Sequence, residues 1–240
     1  MGMTEVAEPI LPAWRGKLRL GDRWATWRGD IGDGAVHRHF AAQAIISDRP
    51  VRVFDALGCY VEADCILIDP LTPHRVQPGC EALLIYVEPG KRMDPAAAEL
   101  LRPVRAATSL ATISGPEGLG YWATWLASPP PLADTTDPRL AAALKFIEDT
   151  LKFGPVPLPL AASQARLSAD RFRHLFADQV GLSYKRYVLW RRLRLATTHL
   201  MGGQDVTTAA HAAGFSDAAH FARTLKSTFG VTASQALVGR

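Results

Sequence analysis

Histidines at alternating positions form the first group of side chains that could do chemistry. His37 and His39 are followed by Gln43, and Pro73-His74 comes after a turn further along the chain. Residues two apart on a strand point to the same side, so His37, His39 and Gln43 are predicted to share one face of one strand. Imidazole nitrogens ligate divalent metals and hydrogen-bond small polar molecules. The pattern therefore has three interpretations: effector contacts, a metal site, or structural hydrogen bonds.

A second group lies near the C-terminal end, where basic and small polar residues begin two short predicted helices. The first helix is Ala169–Asp178, and the second starts at Ser216 or Asp217 and runs to about Phe229. An arginine one turn into such a helix can bind the edge of a guanine, and small residues before it let the backbone approach the groove. The residues predicted to contact DNA are Ser168, Ala169, Arg171, Arg173, His174, Ser216, Asp217, Ala218, Ala219, His220, Arg223 and Lys226.

The three cysteines are the remaining side chains that could react. Cys59, Cys65 and Cys80 are an odd number, and their spacings of 6 and 15 residues match no standard zinc pattern. Free cysteines are commonly small buried hydrophobes, and these fit a reducing compartment better than a disulfide framework. A thiolate site for a soft metal is the alternative.

Each predicted DNA-contacting helix follows a shorter helix and a tight turn. In the second unit, Asp205 is predicted to cap a helix, Gly214 to break it in the left-handed conformation, and Phe215 to fill the gap between the helices. The first unit repeats this pattern with Leu167 in the turn and Ser168 as the N-cap. The chain is therefore predicted to contain two helix-turn-helix units.

A single helix, Tyr184–Met201, is predicted to join the two units. Its length of about 18 residues corresponds to roughly 27 Å. With the helix radii added, this approaches the roughly 34 Å between successive major grooves on one face of B-DNA. One chain is therefore predicted to fill two adjacent grooves.

The run Leu160–Leu237 resembles the DNA-binding domain of the AraC/XylS family of bacterial transcription regulators. The most specific element is GFSDAAHFAR at residues 214–223, followed by Lys226 and by FGVT at residues 229–232. Leu225, Ala233 and Asp170 depart from the family's usual residues. The resemblance implies a regulator that binds a double-stranded DNA operator, responds to a small-molecule effector, and contacts RNA polymerase if it is an activator.

The charge is divided unevenly along the chain. From Pro138 onward there are 14 Lys and Arg against 6 Asp and Glu, a net charge of +8, whereas the residues before it carry 13 against 17, a net charge of −4. The positive charge therefore lies where the resemblance would place the duplex. Arg191, Arg192 and Arg194 in the joining helix are interpreted either as phosphate contacts or as a solvated face.

A proline-rich stretch at residues 128–138 divides this chain of 240 residues. Such a stretch can neither continue a helix nor pair in a sheet, so residues 129–137 are predicted to link a sensor domain, 1–128, to a DNA-binding domain, 138–240. Asp137-Pro138 is predicted to open the first helix of the second domain. No signal peptide or membrane span is predicted at Met1–Pro12, so the expected location is the cytoplasm, with no membrane partner.

The sensor domain is predicted to be a small β-barrel or sandwich, which makes the whole chain α+β. Its strand-like segments are short, rich in β-branched and aromatic residues, and separated by Gly, Pro and Asp. They are Trp24–Arg28, Ala35–Ile46, Val51–Phe54, Ala63–Ile68, His74–Val76 and Ala82–Val87. Two helices, Pro95–Leu101 and Glu117–Ala127, are predicted to follow; such helices pack on a barrel and often form a homodimer.

The histidines and Gln43 resemble the two short motifs of cupin barrels, which are common sensor domains in the AraC family. In metal-bearing cupins these positions hold a divalent ion through three imidazoles and a carboxylate, and here Gln43 is a weaker, neutral ligand. The resemblance therefore implies a cupin-like barrel with His37, His39, Gln43 and His74 as effector contacts. We expect no cofactor and no metal; if a metal binds, His37, His39 and His74 are its candidate ligands.

Two other functions stay open beside a regulator without catalytic activity. One is a metal-dependent cupin enzyme, a dioxygenase or an isomerase, that carries a DNA-binding domain. Gln43 and the lack of a further acid–base pair in the barrel motifs stand against it. The other is a regulator that binds DNA without a ligand, which a barrel interior filled with large apolar side chains would favour.

Overall fold

The structure is a computed structural model that describes residues 13–90, 92–115, 120–132 and 137–237. Within them, a sheet and short helices form the N-terminal part and helices form the C-terminal part, so the α+β class is confirmed. The strands are β1 (Arg15–Leu20), β2 (Trp24–Asp30), β3 (Ala42–Phe54), β4 (Tyr60–Ile68), β5 (Arg75–Val76), β6 (Glu81–Val87) and β7 (Leu110–Ile113). The predictions for Met1–Pro12 and for the linker residues 133–136 lie outside the described residues.

The strands form one sheet in the order β1-β2-β6-β3-β4-β7, with β5 also paired to β3. Among the described strands no pairing joins β1 to β7, so the sheet is open and the expected closed barrel is not formed. The outer side of β1 presents the exposed residues Arg15, Lys17 and Arg19, and charged residues on an edge strand disfavour further pairing. A register shift between Ile46 and Val51 lets β3 pair with β4, β5 and β6.

Several predicted strand limits are wrong. Residues 42–46 of the predicted strand Ala35–Ile46 and all of the predicted strand Val51–Phe54 lie in the single strand β3, because the chain bulges near Pro50 instead of ending there. Residues 35–41 precede this strand, and His37 makes only an isolated bridge to His74. The prediction that the histidines and Gln43 alternate on one strand is therefore wrong. Neither β1 nor β7 was predicted, because β1 alternates with charged residues and β7 has only 4 residues.

Apolar side chains are buried on both faces of the sheet. Trp27, Ile45 and Ile66 belong to the cluster on one face. On the other face, Leu67 packs in a cluster with Trp122, whose indole N–H donates to a strand carbonyl at 2.9 Å. The sensor helices are α1 (Pro95–Leu100), α2 (Arg102–Arg105) and α3 (Tyr121–Ala127). The predicted packing of the last helix against the sheet is confirmed, and residues 117–119 of its predicted span lie outside the described residues.

The C-terminal part is built of helices that end close to their predicted limits. They are α4 (Pro138–Leu151), α5 (Leu158–Gln164), α6 (Ala169–Val180), α7 (Tyr184–Met201), α8 (Val206–Ala212), α9 (Ala218–Phe229) and α10 (Ala233–Leu237). The joining helix, α7, has the predicted bounds. Apolar clusters lie on either side of it, one with α4, α5 and α6 and one with α8 and α9. In the part of the chain described, a helix with the length and apolar character of a membrane span does not occur.

Candidate functional site

Side-chain caps and a glycine turn fix the second helix pair, α8 and α9. The Asp205 carboxylate accepts from two backbone N–H groups of the first turn of α8 at 2.9 and 3.0 Å. The Asp217 carboxylate accepts from the backbone N–H of His220 at 2.6 Å. Gly214 between the helices has a φ of 77°, and a Cβ at this position would lie 2.9 Å from the carbonyl oxygen of Leu151. The predicted caps and the predicted glycine are confirmed.

The first pair, α5 and α6, has the same turn with a different residue at its tightest point. The backbone N–H of Leu167 donates to the carbonyl of Ala162 at 3.1 Å, and that of Phe215 makes the equivalent bond in the second pair at 3.0 Å. Ser168 caps α6 as predicted, accepting from a backbone N–H at 3.3 Å. Arg166 has a φ of 54° where the second pair has glycine. The first turn therefore holds a residue with a Cβ in the left-handed region.

The residues predicted to contact DNA all lie at the surface of these helices and their caps. Ser168, Arg171, Arg173, His174, Ser216, Asp217, Ala219, Arg223 and Lys226 are exposed, and Ala169, Ala218 and His220 are half-buried. A groove of about 560 Å³ is lined mostly by α7 and residues 155–158, and Arg173 of α6 and His220 of α9 are also in its lining. Lys185 and Arg192 of α7 also line this groove. The structure thus brings residues of both helices to one groove, and their contact with DNA stays a prediction.

Asp170 makes its ion pairs along α6. Its carboxylate lies 3.0 Å from the Arg173 guanidinium and 3.8 Å from the His174 imidazole. Asp170 contacts these two residues instead of its neighbour Arg171, because residues three and four apart face each other on a helix and adjacent ones do not. All the side chains in these pairs are more than half exposed. The pairs are therefore weak and open to replacement by a stronger anion.

Two arginines of α7 face the sensor domain instead of solvent. Arg191 lies 2.7 Å from Glu148 and 3.7 Å from Glu88. Arg194 lies 3.6 Å from Glu88 and donates to a β2 carbonyl at 3.2 Å. Both expectations for these two residues, phosphate contact and solvated face, are wrong, because Glu88 is supplied by a strand end far away in the sequence. Arg192 donates to a backbone carbonyl at 3.0 Å and still lines the same groove as Arg173 and His220.

Glu88 is the centre of the contact between the two domains. Its side chain is 5% exposed, and besides Arg191 and Arg194 it lies 3.7 Å from Arg23. The indole N–H of Trp190 donates to the same carboxylate. A buried carboxylate needs such compensation by opposite charge and hydrogen bonds. The sequence signal for this site was a lone acid directly after the apolar strand β6, and sequence reasoning missed it.

The three histidines converge although they are not on one strand. One ring nitrogen of each lies within 4.8 Å of the corresponding nitrogens of the other two. The ring centroids of His37 and His74 are 4.4 Å apart, and those of His39 and His74 are 5.1 Å apart. In all three rings Nδ1 contacts a backbone carbonyl, at 3.0 Å for His37, 2.8 Å for His39 and 2.9 Å for His74. The structure therefore assembles the predicted group through the backbone of two loops.

Burial keeps these imidazoles neutral. Desolvation lowers the pKa of His37, lowers that of His39 to about 3, and lowers that of His74 well below its ordinary value, with the neighbouring histidine charges adding to the effect for the last two. In a neutral ring whose Nδ1–H donates to a carbonyl, Nε2 carries a lone pair. The Nε2 atom of His74 is buried and has no hydrogen-bond partner in the described part of the chain. An unpartnered buried acceptor of this kind is unusual and calls for a donor or a cation.

Gln43 completes the group at the first residues of β3. Its side-chain oxygen lies 3.0 Å from Nε2 of His39, and its amide nitrogen donates to the Tyr86 hydroxyl at 3.3 Å. The buried Tyr86 hydroxyl has a raised pKa because of desolvation. The donor set of three imidazoles and one amide oxygen fits a divalent transition metal by its chemistry. Sequence reasoning thus identified the members of the group but not their geometry.

A residue of the DNA-binding domain covers the histidine group. The Phe229 ring, at the end of α9, lies 6.0 Å from the rings of both His39 and Tyr86 and 5.7 Å from Trp190. The next residue, Gly230, accepts a hydrogen bond from the backbone N–H of Ala35 at 3.1 Å. A cavity of about 10 Å³ lies here, with His37, Gln43, Tyr86 and Phe229 in its lining. Sequence reasoning used Phe229 only as the end of the helix and missed this contact.

A larger apolar cavity of about 100 Å³ lies beside it, between the sheet and helices α7 and α9. Its lining includes Trp14 and Trp27 from the sensor domain and Trp190, Leu225 and Phe229 from the other side. The two domains therefore meet along one stretch of α7, over the aromatic side chains around this cavity and over the Glu88 ion pairs.

Comparisons with known proteins agree with the geometry of the C-terminal helices. The family model described as "Helix-turn-helix domain" matches residues 161–237. The Transcriptional activator RhrA of Rhizobium meliloti (strain 1021) is 30% identical over 104 residues, which are 42% of this chain and 33% of that protein. The chain thus spans about a third of the length of this curated relative.

Solved structures extend the likeness in fold. ToxT from Vibrio cholerae O395 matches with a TM-score of 0.53 and 11% identity, over 90% of this chain and 96% of ToxT. A transcriptional regulator with an AraC-type DNA-binding domain from Chromobacterium violaceum is 26% identical, over 40% of this chain and 87% of that one, with a TM-score of 0.38. Residues 161–237 therefore carry the helix-turn-helix domain that the family model describes, and this part of the chain is similar to a transcriptional activator.

Proposed function

We propose that this protein is a cytoplasmic, sequence-specific DNA-binding transcription regulator, in which α6 and α9 enter two adjacent major grooves of an operator. The support for the proposal is that two capped helix pairs, α5 with α6 and α8 with α9, lie at the two ends of one helix, α7, and that Arg173 of α6 and His220 of α9 line one groove. Their exposed arginines, Arg173 and Arg223, are of the type that binds guanine edges. Lys185 and Arg192, which line the groove, are suited to contact the phosphates between the two sites.

Control by a small ligand in the sensor domain is the second part of the proposal. His37, His39, Gln43 and His74 are the effector contacts, and Phe229 at the end of α9 links them to the DNA-binding domain. A ligand at this place acts on DNA binding only if it favours one arrangement of the two domains over another. If the protein is an activator, RNA polymerase is its further partner. A homodimer formed through the sensor helices is compatible with the proposal and is not needed by it.

A regulator that works without an organic ligand is the second candidate, and two observations favour it. Large apolar side chains, including Trp27, Ile45 and Ile66, fill one side of the sheet. The cavity beside His37 and Gln43, about 10 Å³, has room for one water and for no organic molecule. In the described residues, the histidine group is the single feature that supports an enzyme. Its rings are buried and neutral, and the group contains no carboxylate that could form an acid–base pair with them.

The test is a selection of binding sites from random double-stranded DNA with the full chain. We expect enriched sites with two conserved segments about 10 base pairs apart, one for each recognition helix. Binding should weaken steeply as salt is raised, because phosphate contacts release counterions. If no sequence is enriched even at low salt, although the protein is folded, the proposed function is wrong.

A further inference from the structure

We propose that Asp170, the second residue of α6, reads one base of the operator by accepting a hydrogen bond from the amino group of a cytosine in the major groove. This role depends on the proposed function and deepens it, because it specifies a base that lies under the start of α6. Asp170 is not among the residues that the sequence predicted to contact DNA. The place of Asp170 on the helix, its partners and its charge support the role.

Asp170 lies where a recognition helix meets the edges of the bases. α6 begins at Ala169, directly after its N-cap Ser168, and the first residues of a recognition helix are the ones that contact bases. The Asp170 side chain is 71% exposed. The Ser168 hydroxyl accepts from a backbone N–H of the first turn at 3.3 Å, so the cap of α6 does not depend on the Asp170 carboxylate.

The two recognition helices present different side chains at equal distances from their caps. The second residue after the cap is Asp170 in α6 and Ala219 in α9. The fifth residue is Arg173 in α6 and Ala222 in α9. The acid and the arginine thus occur together on α6, whereas α9 has small apolar residues at both places. We therefore expect the bases under the start of α6 to differ from those under the start of α9.

The Asp170 carboxylate and the Arg173 guanidinium form one exposed group that has both an acceptor and a donor side. Their nearest atoms are 3.0 Å apart, and the His174 imidazole lies 3.8 Å from the second carboxylate oxygen. In the major groove, a G·C base pair presents two acceptors on guanine and one donor, the N4 amino group, on cytosine. An arginine that binds the guanine acceptors beside a carboxylate that accepts from a cytosine amino group matches this pattern.

Electrostatics restricts where the carboxylate can lie in the complex. Close to the phosphates it would be repelled, because the DNA backbone is negatively charged. When Arg173 binds a guanine edge, the exposed pair with Asp170 is easily loosened. A carboxylate that is withdrawn from water without a donor lowers affinity. The donors of the major groove are the amino groups of cytosine and adenine, and acidic side chains pair with that of cytosine.

The test is a selection of binding sites with the full chain, with Asp170→Ala and with Asp170→Asn. In the sites that the unchanged chain enriches, we expect cytosine to be favoured about tenfold over the other bases at one position. Asp170→Ala should abolish this preference. Asp170→Asn should transfer it to adenine, because a side-chain amide both accepts from and donates to adenine.

The affected position should lie beside the base that Arg173 reads. Residues three apart on a helix are separated by about 4.5 Å along its axis, and successive base pairs by about 3.4 Å. The two positions should therefore be no more than about two base pairs apart. The position that Arg223 reads should lie about 10 base pairs away and stay unchanged. If the Asp170 variants alter only this distant position, the proposed contact is refuted.

Glu62→Ala is the matched control. It also removes one exposed carboxylate that lies 3.0 Å from an arginine, Arg52, but it does so in the sensor domain. Its base preference should equal that of the unchanged chain at every position. An acid that only stabilised the start of α6 would behave differently from a base contact. Its replacement would lower the urea midpoint and leave the base preference as it is.

The role of Asp170 is refuted if both of its variants, shown to be folded by circular dichroism, select the same bases as the unchanged chain. The proposed function would then stand, because the unchanged chain still enriches a sequence. A change of preference in Glu62→Ala would trace the effect to the lost charge and would also refute the base contact. If the unchanged chain enriches no sequence, the proposed function is wrong and the role of Asp170 is wrong with it.

Discussion

A charged side chain on a predicted DNA-binding face contributes to binding only if its charge is not already neutralised. Arg223 and Arg173 illustrate the difference. Arg223 is exposed, and Arg173 is exposed but pairs with Asp170 at 3.0 Å. Because exposed ion pairs are worth about 0–1 kcal/mol, a guanine edge or a phosphate can displace Asp170. Both arginines therefore remain suited to read bases.

Arg223→Ala and Arg173→Ala should each weaken binding to the selected DNA by about 1–3 kcal/mol and relax the preference at one part of the site. The two relaxed parts should lie about 10 base pairs apart, because the helices enter successive grooves. Lys145→Ala, at an exposed residue of α4 that pairs with Asp149, is the control. Binding-site selection with each variant measures this, and relaxation of the same base pair by both arginine variants would contradict the two-groove arrangement.

The cysteines should differ in reactivity because they differ in burial. Burial, with a further contribution from the charge of Asp64, raises the pKa of the Cys65 thiol to about 11, so at pH 8 only about one molecule in a thousand carries the thiolate there. Cys59 is exposed. A thiol reagent at pH 8 should label Cys59 within minutes and Cys65 only after unfolding or well above pH 10. Peptide mass spectrometry reads both sites, and equal native labelling rates would contradict the burial of Cys65.

At the scale of elements, local patterns predicted the helices well because their determinants are local. Asp205, Ser168 and Gly214 act on backbone groups within a few residues, and the sequence shows them directly. The strands were predicted less well. Whether Pro50 ends a strand or lies in a bulge depends on how β3 pairs with β4, β5 and β6, which are distant in sequence. The convergence of His37 with His74 depends on the same long-range pairing.

The two turns of the DNA-binding domain give a matched pair of stability predictions. Arg166 has a φ of 54°, a conformation that costs an L-residue roughly 1–2 kcal/mol. Arg166→Gly should relieve this strain, but glycine also gives the unfolded chain more conformational entropy. The net result should be a rise of about 0.5–1 kcal/mol in the free energy of unfolding. Gly214→Ala should lower it by at least about 1–2 kcal/mol, because of its φ of 77° and a Cβ contact of 2.9 Å with the Leu151 carbonyl.

Urea unfolding of both variants, followed by circular dichroism, measures these effects. The signs should be opposite although both positions lie in equivalent turns. A destabilised Arg166→Gly protein would show that the Arg166 side chain makes a compensating contact.

At the scale of the whole molecule, Glu88 joins the two domains through charge. Glu88→Gln keeps the shape of the side chain but leaves Arg191 and Arg194 facing a buried neutral amide. Removing one member of a buried charge group typically lowers stability by about 3–5 kcal/mol. We therefore expect a large loss in the free energy of unfolding. Glu62→Gln, at an exposed pair with Arg52 at 3.0 Å, should cost less than about 1 kcal/mol.

Urea unfolding again provides the measurement, with tryptophan fluorescence as a second signal because Trp190 donates to Glu88. If Glu88→Gln and Glu62→Gln lose the same small amount of stability, the domains are not joined by this carboxylate. If fluorescence changes before the helical signal is lost, the domains separate before they unfold.

The position of the Glu88 contact also decides where hybrid regulators can be joined. The proline-rich stretch before Pro138 offers a simple place to exchange one sensor domain for another. Yet Arg191, Arg194 and Trp190 stay with the DNA-binding half, and each has its partner in the sensor half. A foreign sensor without a matching carboxylate would leave Arg194 without Glu88 and Arg191 with Glu148 as its remaining acidic partner in the DNA-binding half. A working hybrid therefore needs the foreign sensor together with the face of α7 that matches it. A hybrid in which residues 190–194 are exchanged as well should respond to the foreign sensor's ligand, whereas a simple fusion should not.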